Sequence, residues 1–229
     1  VTVSQYSKRC LTEVLGIAPD RIQVVREAAA AVFRRIEESA AGEPFILYAG
    51  GISPSKNLAT LVRAYAKLRA GRPGIKLVLA GDYKFDRFKS CYPEIKDLVG
   101  RLGLDDMVVF TGFVPDAELV RLYNHASLFV LPSFDEGFGL PALEAMACGA
   151  PVVVSAGNAL EEVVGEAGIL VPAADEAGLA AAMDRVLGDR RLASEMREKS
   201  LRRAAEFSWD RAAVEFVGIF EQKHRRSAS

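Results

Sequence analysis

The sequence predicts an α/β fold in which a doubly wound parallel sheet carries helices on both faces. Short apolar segments recur along the chain with amphipathic helical patterns between them, which is typical of parallel strands joined by helical crossovers. Most of these segments show no polar alternation, and a strand that is apolar on both sides must be covered on both sides. With 229 residues, 50% of them hydrophobic, the chain can bury one substantial core.

Six segments are predicted strands, and the helices between them follow from apolar spacing and capping residues. The helix predicted over 57–70 places its apolar side chains on one stripe and ends before Gly71. Asp116 and Asp175 are predicted N-caps of two further helices, and Gly188 closes the second. The predicted strands are 45–49, 75–80, 107–110, 128–131, 151–154 and 168–171.

The two ends of the chain do not continue this alternation. Residues 1–40 hold too few elements for a domain: strand-like pieces at 1–3 and 22–25, a helix at 6–15 and an alanine-rich segment at 28–38. Ser208 is the predicted N-cap of a last amphipathic helix, and the basic tail 223–229 is expected to be unstructured. Both ends are therefore expected to pack against another part of the protein rather than to fold on their own.

Composition excludes several classes of function. The 29 basic and 30 acidic side chains nearly cancel, so no overall basic field points to nucleic acid or anionic lipid. No apolar run approaches the roughly 20 residues that cross a bilayer, and the first residues lack the regions of a signal peptide. We therefore expect a soluble, cytoplasmic protein, and leave open whether the complete protein associates with a membrane surface.

Few side chains suit a metal site or a histidine-dependent hydrolase. Cys10, Cys91 and Cys148 lie far apart without metal-ligand spacing, and we expect all three to be reduced. His125 and His224 are the only histidines, and we expect both on helix surfaces. No metal site is therefore predicted.

The most informative stretch begins at Leu131 and ends at Val153. A buried strand breaks at Pro132, and a glycine-containing loop then leads into a helix at about Leu140, where Pro141 suits the first turn. A helix N-terminus offers free backbone N–H groups and partial positive charge, and loops at the carboxyl ends of parallel strands bind ligands. A phosphate is therefore predicted at this loop.

Two carboxylates flank the predicted phosphate site. Glu144 lies about one turn into the helix, where it can accept hydrogen bonds from the two hydroxyls of a ribose. Glu136 lies eight residues earlier, in the loop, and can accept from hydroxyls of a group on the other end of the phosphates. This pattern favours a nucleoside diphosphate that carries a sugar over a bare nucleotide.

A second cluster with glycines and a charged side chain follows the first predicted strand. Gly50 and Gly51 remove side chains where a ligand approaches, and Lys56 offers a point charge for a diphosphate. Gly81, after the next strand, is a third glycine of this kind. The alternative stays open that these glycines are ordinary turn residues and that Lys56 is simply solvated.

Together these segments resemble the C-terminal, donor-binding half of the retaining glycosyltransferases of family 4, also called group 1, whose two Rossmann-like domains face a cleft (the GT-B fold). Glu136 and Glu144 match that family's Glu-x7-Glu spacing inside the context Glu-Gly-Phe-Gly-Leu-Pro-x-Leu-Glu-Ala-Met-Ala-x-Gly-x-Pro-Val. Further segments that resemble the family are 3–8, 22–25, 108–114, 167–171 and 207–209.

The resemblance implies a domain organisation and a missing partner. Residues 1–40 would be the remnant of the N-terminal domain and the crossover, 41–206 the Rossmann-like donor-binding domain, and 207–229 a crossing helix and tail. The N-terminal domain would supply most of the acceptor pocket. The isolated chain is therefore expected to be inactive.

The resemblance also implies a role for individual residues. Glu136 would contact the donor sugar, Lys56 would neutralise the leaving diphosphate, and Glu144 would hold the ribose. Many relatives carry Arg where this chain has Gly51, so Lys56 stands here without that second cation. The remaining donor-binding positions are Gly50, Gly51 and Gly81, then Thr111, Gly112 and Phe113 along the nucleobase, and Gly137, Phe138, Gly139 and Leu140 at the sugar and distal phosphate.

The implied reaction is sugar transfer from GDP-mannose or a UDP-hexose to a glycan or lipid-linked acceptor, with retention and without a metal or other cofactor. The alternative is a sugar-nucleotide binding module that never transfers. A nicotinamide-dependent dehydrogenase is disfavoured because the Gly-x-Gly-x-x-Gly turn with its following acidic residue is missing.

Overall fold

The computed structural model describes residues 1–37, 42–82 and 90–227, with side chains through residue 221. Its strands form one parallel sheet in the order β3-β2-β1-β4-β5-β6. The order reverses between β1 and β4, which confirms the predicted doubly wound arrangement. The strands are β1 Phe45–Ala49, β2 Lys76–Ala80, β3 Val108–Gly112, β4 Leu128–Leu131, β5 Val152–Ala156 and β6 Ile169–Pro172.

Helices connect the strands and cover both faces of the sheet. The predicted Asp175 cap is confirmed, since its carboxylate accepts the Gly178 N–H at 2.8 Å. Asp116 is instead the first residue of its helix, and the cap position falls on Pro115. The helices are α1 Gln5–Leu15, α2 Leu58–Arg69, α3 Tyr92–Arg101, α4 Asp116–His125, α5 Leu140–Ala147, α6 Leu160–Val164, α7 Glu176–Gly188, α8 Arg190–Ala204 and α9 Trp209–Ser227.

The core lies on both sides of the central strands. All four residues of β4 and residues 46–49 of β1 are buried, as their unbroken apolar sequences predict. Helix α2 buries the predicted stripe, and each such side chain contributes about 1.5–3 kcal/mol by leaving water. The stripe consists of Leu58, Leu61, Val62, Tyr65 and Leu68.

The two ends pack against this domain in different ways. Thr2 and Val24 form a single parallel bridge in place of the two predicted strands. Phe33 is buried in the core, with its ring edge-to-face against Tyr123 at a centroid distance of 5.9 Å. The domain boundary at residue 40 falls outside the described residues and stays a prediction.

The predicted unstructured tail is wrong for 223–227, because α9 continues to Ser227. The lysine, glutamine and arginine side chains at this end are good helix formers, so the helix continues past its apolar stripe. Residues 228–229 lie outside the described part of the chain. None of the helices within that part is long and apolar enough to cross a membrane.

Candidate functional site

The candidate site lies where the carboxyl ends of β1 and β4 meet. These strands are neighbours at the point where the strand order reverses, and open α/β sheets bind ligands at that point. The two loops that follow are tied together, because the Phe134 N–H donates to the Ser55 carbonyl at 2.8 Å. The Asn57 side chain donates to the Pro132 carbonyl at 3.0 Å. The two motifs found separately in the sequence therefore form one site.

Lys56 and Glu136 contact each other directly. The Lys56 ammonium donates to Glu136 Oε1 at 2.8 Å, and the Ser133 hydroxyl donates to the same oxygen at 2.7 Å. The side chains are 24% and 10% exposed, so the ion pair is largely shielded from water. Lys56 ends a short 3₁₀ turn, Pro54–Lys56, that directs it towards the loop after β4. The pair places a cation and an acceptor side by side.

A buried polar network holds the loop after β4 from behind. The Ser133 carbonyl accepts a short hydrogen bond from the Ser155 hydroxyl and a second one, at 3.3 Å, from the Asn158 amide. Asn158 also accepts the N–H of Leu160 at 2.9 Å. Sequence reasoning missed Ser133, Ser155 and Asn158. The available signal was a serine within two residues of the end of each of two apolar predicted strands, 128–131 and 151–154.

The loop before α5 leads into the helix N-terminus as predicted, and we call residues 138–140 the mouth of α5. Gly139 has a φ of 108°, and a Cβ there would lie 2.3 Å from a methyl group of Leu160, so only glycine fits without strain. α5 begins at Leu140 with Pro141 in its first turn, as predicted. Within the described residues, the N–H groups of Phe138, Gly139 and Leu140 donate to no acceptor. They are therefore available to an anion.

The side chain of Phe138 anchors the loop. It is buried in a small apolar cluster with Leu143 and Val163, separate from the main core. Its ring packs edge-to-face against Phe207, with centroids 5.9 Å apart. Phe207, the first residue of the family-like segment 207–209, thus packs against the loop before α5. Only the backbone of Phe138 is left to contact a ligand.

Glu144 is oriented by a buried tyrosine. Its Oε2 accepts the Tyr123 hydroxyl at 3.1 Å, and the Tyr123 ring packs edge-to-face against Phe129 with centroids 5.5 Å apart. Burial raises the pKa of Glu144 to about 7; the charge of Asp116 also raises it, whereas the Tyr123 hydrogen bond lowers it. The position of Tyr123 among the apolar residues of α4 indicates a core side chain only, because helical spacing carries no signal for such a hydrogen bond.

The three glycines after β1 and β2 pack closely around the strand ends. A Cβ on Gly81 would lie 1.9 Å from the Gly50 carbonyl oxygen, so packing alone requires glycine there. The Gly50 N–H donates to the Ala80 carbonyl at 2.9 Å, while the Gly51 carbonyl accepts the Tyr48 hydroxyl at 2.6 Å. Gly51 is exposed. Contact of these glycines with a donor stays a prediction.

The predicted nucleobase segment lies at the end of β3, on the same edge of the sheet. β3 extends through Thr111 and Gly112, past its predicted end, because the Gly81 N–H bonds the Gly112 carbonyl at 3.1 Å. The Thr111 hydroxyl donates to the Gly112 carbonyl at 2.9 Å, and Phe113 is 75% exposed. Contact of a nucleobase with these three residues, mainly through their backbone, stays a prediction.

The described residues group no three His, Cys, Asp or Glu side chains into a possible metal site. The geometry defines a class of protein: a Rossmann-like domain whose switch point offers a helix mouth, a lysine and two carboxylates to a phosphate-bearing ligand.

The chain belongs to the group 1 glycosyltransferases, since residues 31–203 match the family described as Glycosyl transferases group 1. It is 34% identical over 247 residues to the D-inositol 3-phosphate glycosyltransferase of Acidothermus cellulolyticus, covering 100% of this chain and 54% of that protein. It is 34% identical over 228 residues to the Serotype-specific mannosyltransferase WbdA of Escherichia coli, covering 92% of this chain and 27% of WbdA.

Among solved structures, the sucrose-phosphate synthase of Thermosynechococcus elongatus superposes with a TM-score of 0.86 at 29% identity. That match covers 100% of this chain and 58% of the synthase. The chain thus spans between 27% and 58% of the length of these relatives. The comparisons confirm the predicted family and the Rossmann-like GT-B architecture.

Proposed function

We propose that this chain binds the nucleoside-diphosphate sugar of a glycosyltransferase that moves a hexosyl group to a glycan or lipid-linked acceptor with retention of configuration. The observation that carries the proposal is the Lys56–Glu136 pair, 2.8 Å apart, in which Glu136 lies two residues before Phe138. Within the part of the chain that the structure describes, the N–H groups of residues 138–140 donate to no acceptor. Cation, acceptor and N–H donors are the groups that a sugar diphosphate needs at one place.

The donor fits this site in one direction. The diphosphate lies between Lys56 and the N–H groups of residues 138–140, with its ribose hydroxyls on the Glu144 carboxylate. The sugar then extends towards Glu136, whose oxygens accept from its hydroxyls. The base lies along Thr111, Gly112 and Phe113, mainly against backbone, so both GDP-mannose and UDP-hexoses are retained as donors. The name of the mannosyltransferase relative favours testing a mannosyl donor first.

The proposed role of these residues is to stabilise the charges that develop during sugar transfer. Sugar transfer builds positive charge at the anomeric carbon and negative charge on the departing diphosphate. Lys56 and the mouth of α5 aim fixed positive charge at the leaving group, a role that a divalent cation fills elsewhere, and so the proposal requires no metal. A further domain supplies the acceptor pocket, and this chain alone performs no transfer.

The first test is a thermal-shift panel of GDP, UDP and ADP with their sugars, and NAD as the negative control. A ligand at about 100 times its dissociation constant stabilises the folded state by about 2.7 kcal/mol. We expect a shift with one base family and none with NAD. A shift with NAD and none with any sugar nucleotide would refute the proposal.

The second test uses the complete protein that carries this chain. We expect release of the nucleoside diphosphate from the donor, loss of that release in Glu136→Ala, and a product whose anomeric configuration matches the donor by NMR. Tight binding without any turnover would identify a non-catalytic sugar-nucleotide module instead.

A further inference from the structure

Helix α1 contacts the loop before α5 through two hydroxyl groups. Ser4 Oγ and Ser7 Oγ both donate to the Gly137 carbonyl oxygen, at 2.6 Å and 2.9 Å. Ser4 is buried and is also the N-cap of α1, because its Oγ accepts the Ser7 N–H at 2.9 Å. A carbonyl oxygen has two lone pairs, so the two hydroxyls saturate it.

Further polar contacts hold α1 in this place. The Glu162 carboxylate accepts the N–H groups of Gln5 and Tyr6, at 2.9 Å and 2.5 Å. The Tyr6 hydroxyl is hydrogen-bonded to Asp135, in the same loop as Gly137, and this bond raises the pKa of Tyr6. α1 itself buries no residue fully, so its attachment depends on these polar contacts more than on apolar burial.

The contact of α1 with the Gly137 carbonyl also determines the direction of the Phe138 N–H, because both groups belong to one peptide unit. A trans peptide is planar, and its carbonyl and N–H point in opposite directions. When α1 holds the Gly137 carbonyl, the N–H of Phe138 must point away from α1, and it has no acceptor among the described residues. Gly137 has no Cβ to restrict rotation of this peptide, so the two hydroxyls provide the restraint.

The same contact changes the strength of the donor. Hydrogen bonds in a chain polarise one another, so a peptide whose carbonyl accepts two hydroxyls offers a more positive N–H. That N–H is one of the three at the mouth of α5. The contact between α1 and Gly137 therefore affects both the direction and the polarity of a phosphate-binding group.

We propose that Ser4 and Ser7 are positioning residues for sugar transfer, which act through the Gly137–Phe138 peptide on the departing diphosphate. This inference rests on the proposed function above. It assigns a catalytic consequence to a helix that precedes the predicted donor-binding domain and contacts the loop before α5 through Ser4 and Ser7.

The test compares Ser7→Ala with Thr12→Ala in the complete protein. Thr12 lies on the same helix, and its hydroxyl donates at 3.0 Å to the Lys8 carbonyl rather than to the loop. Both substitutions introduce the best helix former, so each leaves α1 intact. The measurements are release of the nucleoside diphosphate from GDP-mannose or UDP-glucose, the donor KM, and the melting temperature.

For Ser7→Ala we expect kcat to fall about 5- to 10-fold, with a smaller rise in donor KM, because the leaving phosphate gains charge in the transition state. Thr12→Ala should match the unsubstituted protein, and Ser7→Thr, which keeps the hydroxyl, should restore kcat. Ser4→Ala with Ser7→Ala should lower kcat by about 30- to 100-fold.

Equal rates in Ser7→Ala and Thr12→Ala would overturn the positioning role and leave the proposed function intact. A rate loss that Ser7→Thr fails to restore would overturn it too. If the unsubstituted protein neither binds nor hydrolyses any sugar nucleotide, the proposed function itself fails, and this inference fails with it.

Discussion

The Lys56 ammonium and the Glu136 carboxylate lie 2.8 Å apart, although 80 residues separate them in the chain. The contact exists because β1 and β4 are neighbours in the sheet, and each residue lies in the loop that follows its strand. Without a ligand, the two charges neutralise each other in a partly shielded place. A bound diphosphate would compete with Glu136 for Lys56, so the two residues should show opposite effects on nucleotide binding.

Lys56→Ala should remove about 3–4 kcal/mol of transition-state stabilisation in the complete protein, which lowers kcat roughly 10²- to 10³-fold. The reason is that Lys56 places a cation beside the predicted diphosphate, and without it Glu136 stays behind and repels that group. Steady-state kinetics with the donor identified by thermal shift checks this. The matched control is Lys67→Ala, which removes an exposed ion pair with Glu176 and should leave the rate unchanged.

Glu136→Gln should separate nucleotide binding from sugar transfer. The amide is nearly isosteric with the carboxylate and removes a negative charge next to the diphosphate, so GDP or UDP should bind severalfold more tightly by calorimetry. Transfer should fall by at least about 10²-fold, because the acceptor for the sugar hydroxyls is weakened. Weaker nucleotide binding with unchanged turnover would contradict the proposed roles of both residues in the pair.

Glu144 should make ribonucleotide binding depend on pH. Burial raises the pKa of this carboxyl from an ordinary 4.5 to about 7. Ribose hydroxyls donate best to the ionised form, so affinity for GDP or UDP should rise as the pH increases from about 6 to 8. Calorimetry over this range checks the direction. The 2′-deoxy nucleotide and Glu144→Gln are the controls, and both should show a flatter profile that reports only phosphate ionisation.

The same pKa predicts a trend in stability. Between pH 4.5 and about 7 the folded chain keeps a proton on Glu144 that the unfolded chain releases. The contribution of Glu144 to stability is therefore greatest below pH 4.5, falls as the pH rises to about 7, and is constant above that. Glu144→Gln should remove this decline, so its melting temperature relative to the unsubstituted chain should increase from pH 5 to pH 7.

Gly139→Ala should destabilise the chain by about 2 kcal/mol, because an alanine at a φ of 108° is strained and its Cβ would meet the buried Leu160 side chain at 2.3 Å. Gly51→Ala is the control, since a Cβ there meets nothing within 4 Å. Denaturant unfolding of the two variants checks the difference. Equal stability would mean that the loop before α5 tolerates a side chain and that its geometry is not imposed by glycine.

Part of the fold could be read from local pattern. The unbroken apolar segments predicted the six strands, and the stripe of α2 and the Asp175 cap predicted two helices well. α8 was not predicted because it buries only Met196 and Ser200, which leaves almost no apolar period to detect. The basic end of α9 likewise lacks an apolar period, and for that reason the sequence predicts an unstructured tail there.

The candidate site, like the fold, can be predicted only in part from local sequence. The sequence by itself determined the chemistry of each loop: glycines at the strand ends, a proline in the first turn of α5, and two carboxylates eight residues apart. Those features depend on neighbours within one or two helical turns, so local sequence carries them.

Only the tertiary structure decided which of these groups meet. Strand order brought Lys56 onto Glu136, the packing of α4 against the sheet brought Tyr123 onto Glu144, and a helix from the far end of the chain brought two serines onto Gly137. These contacts join residues 80, 21, 133 and 130 positions apart. A contact between distant residues is selected by the packing of whole elements, and no local pattern in one sequence specifies it.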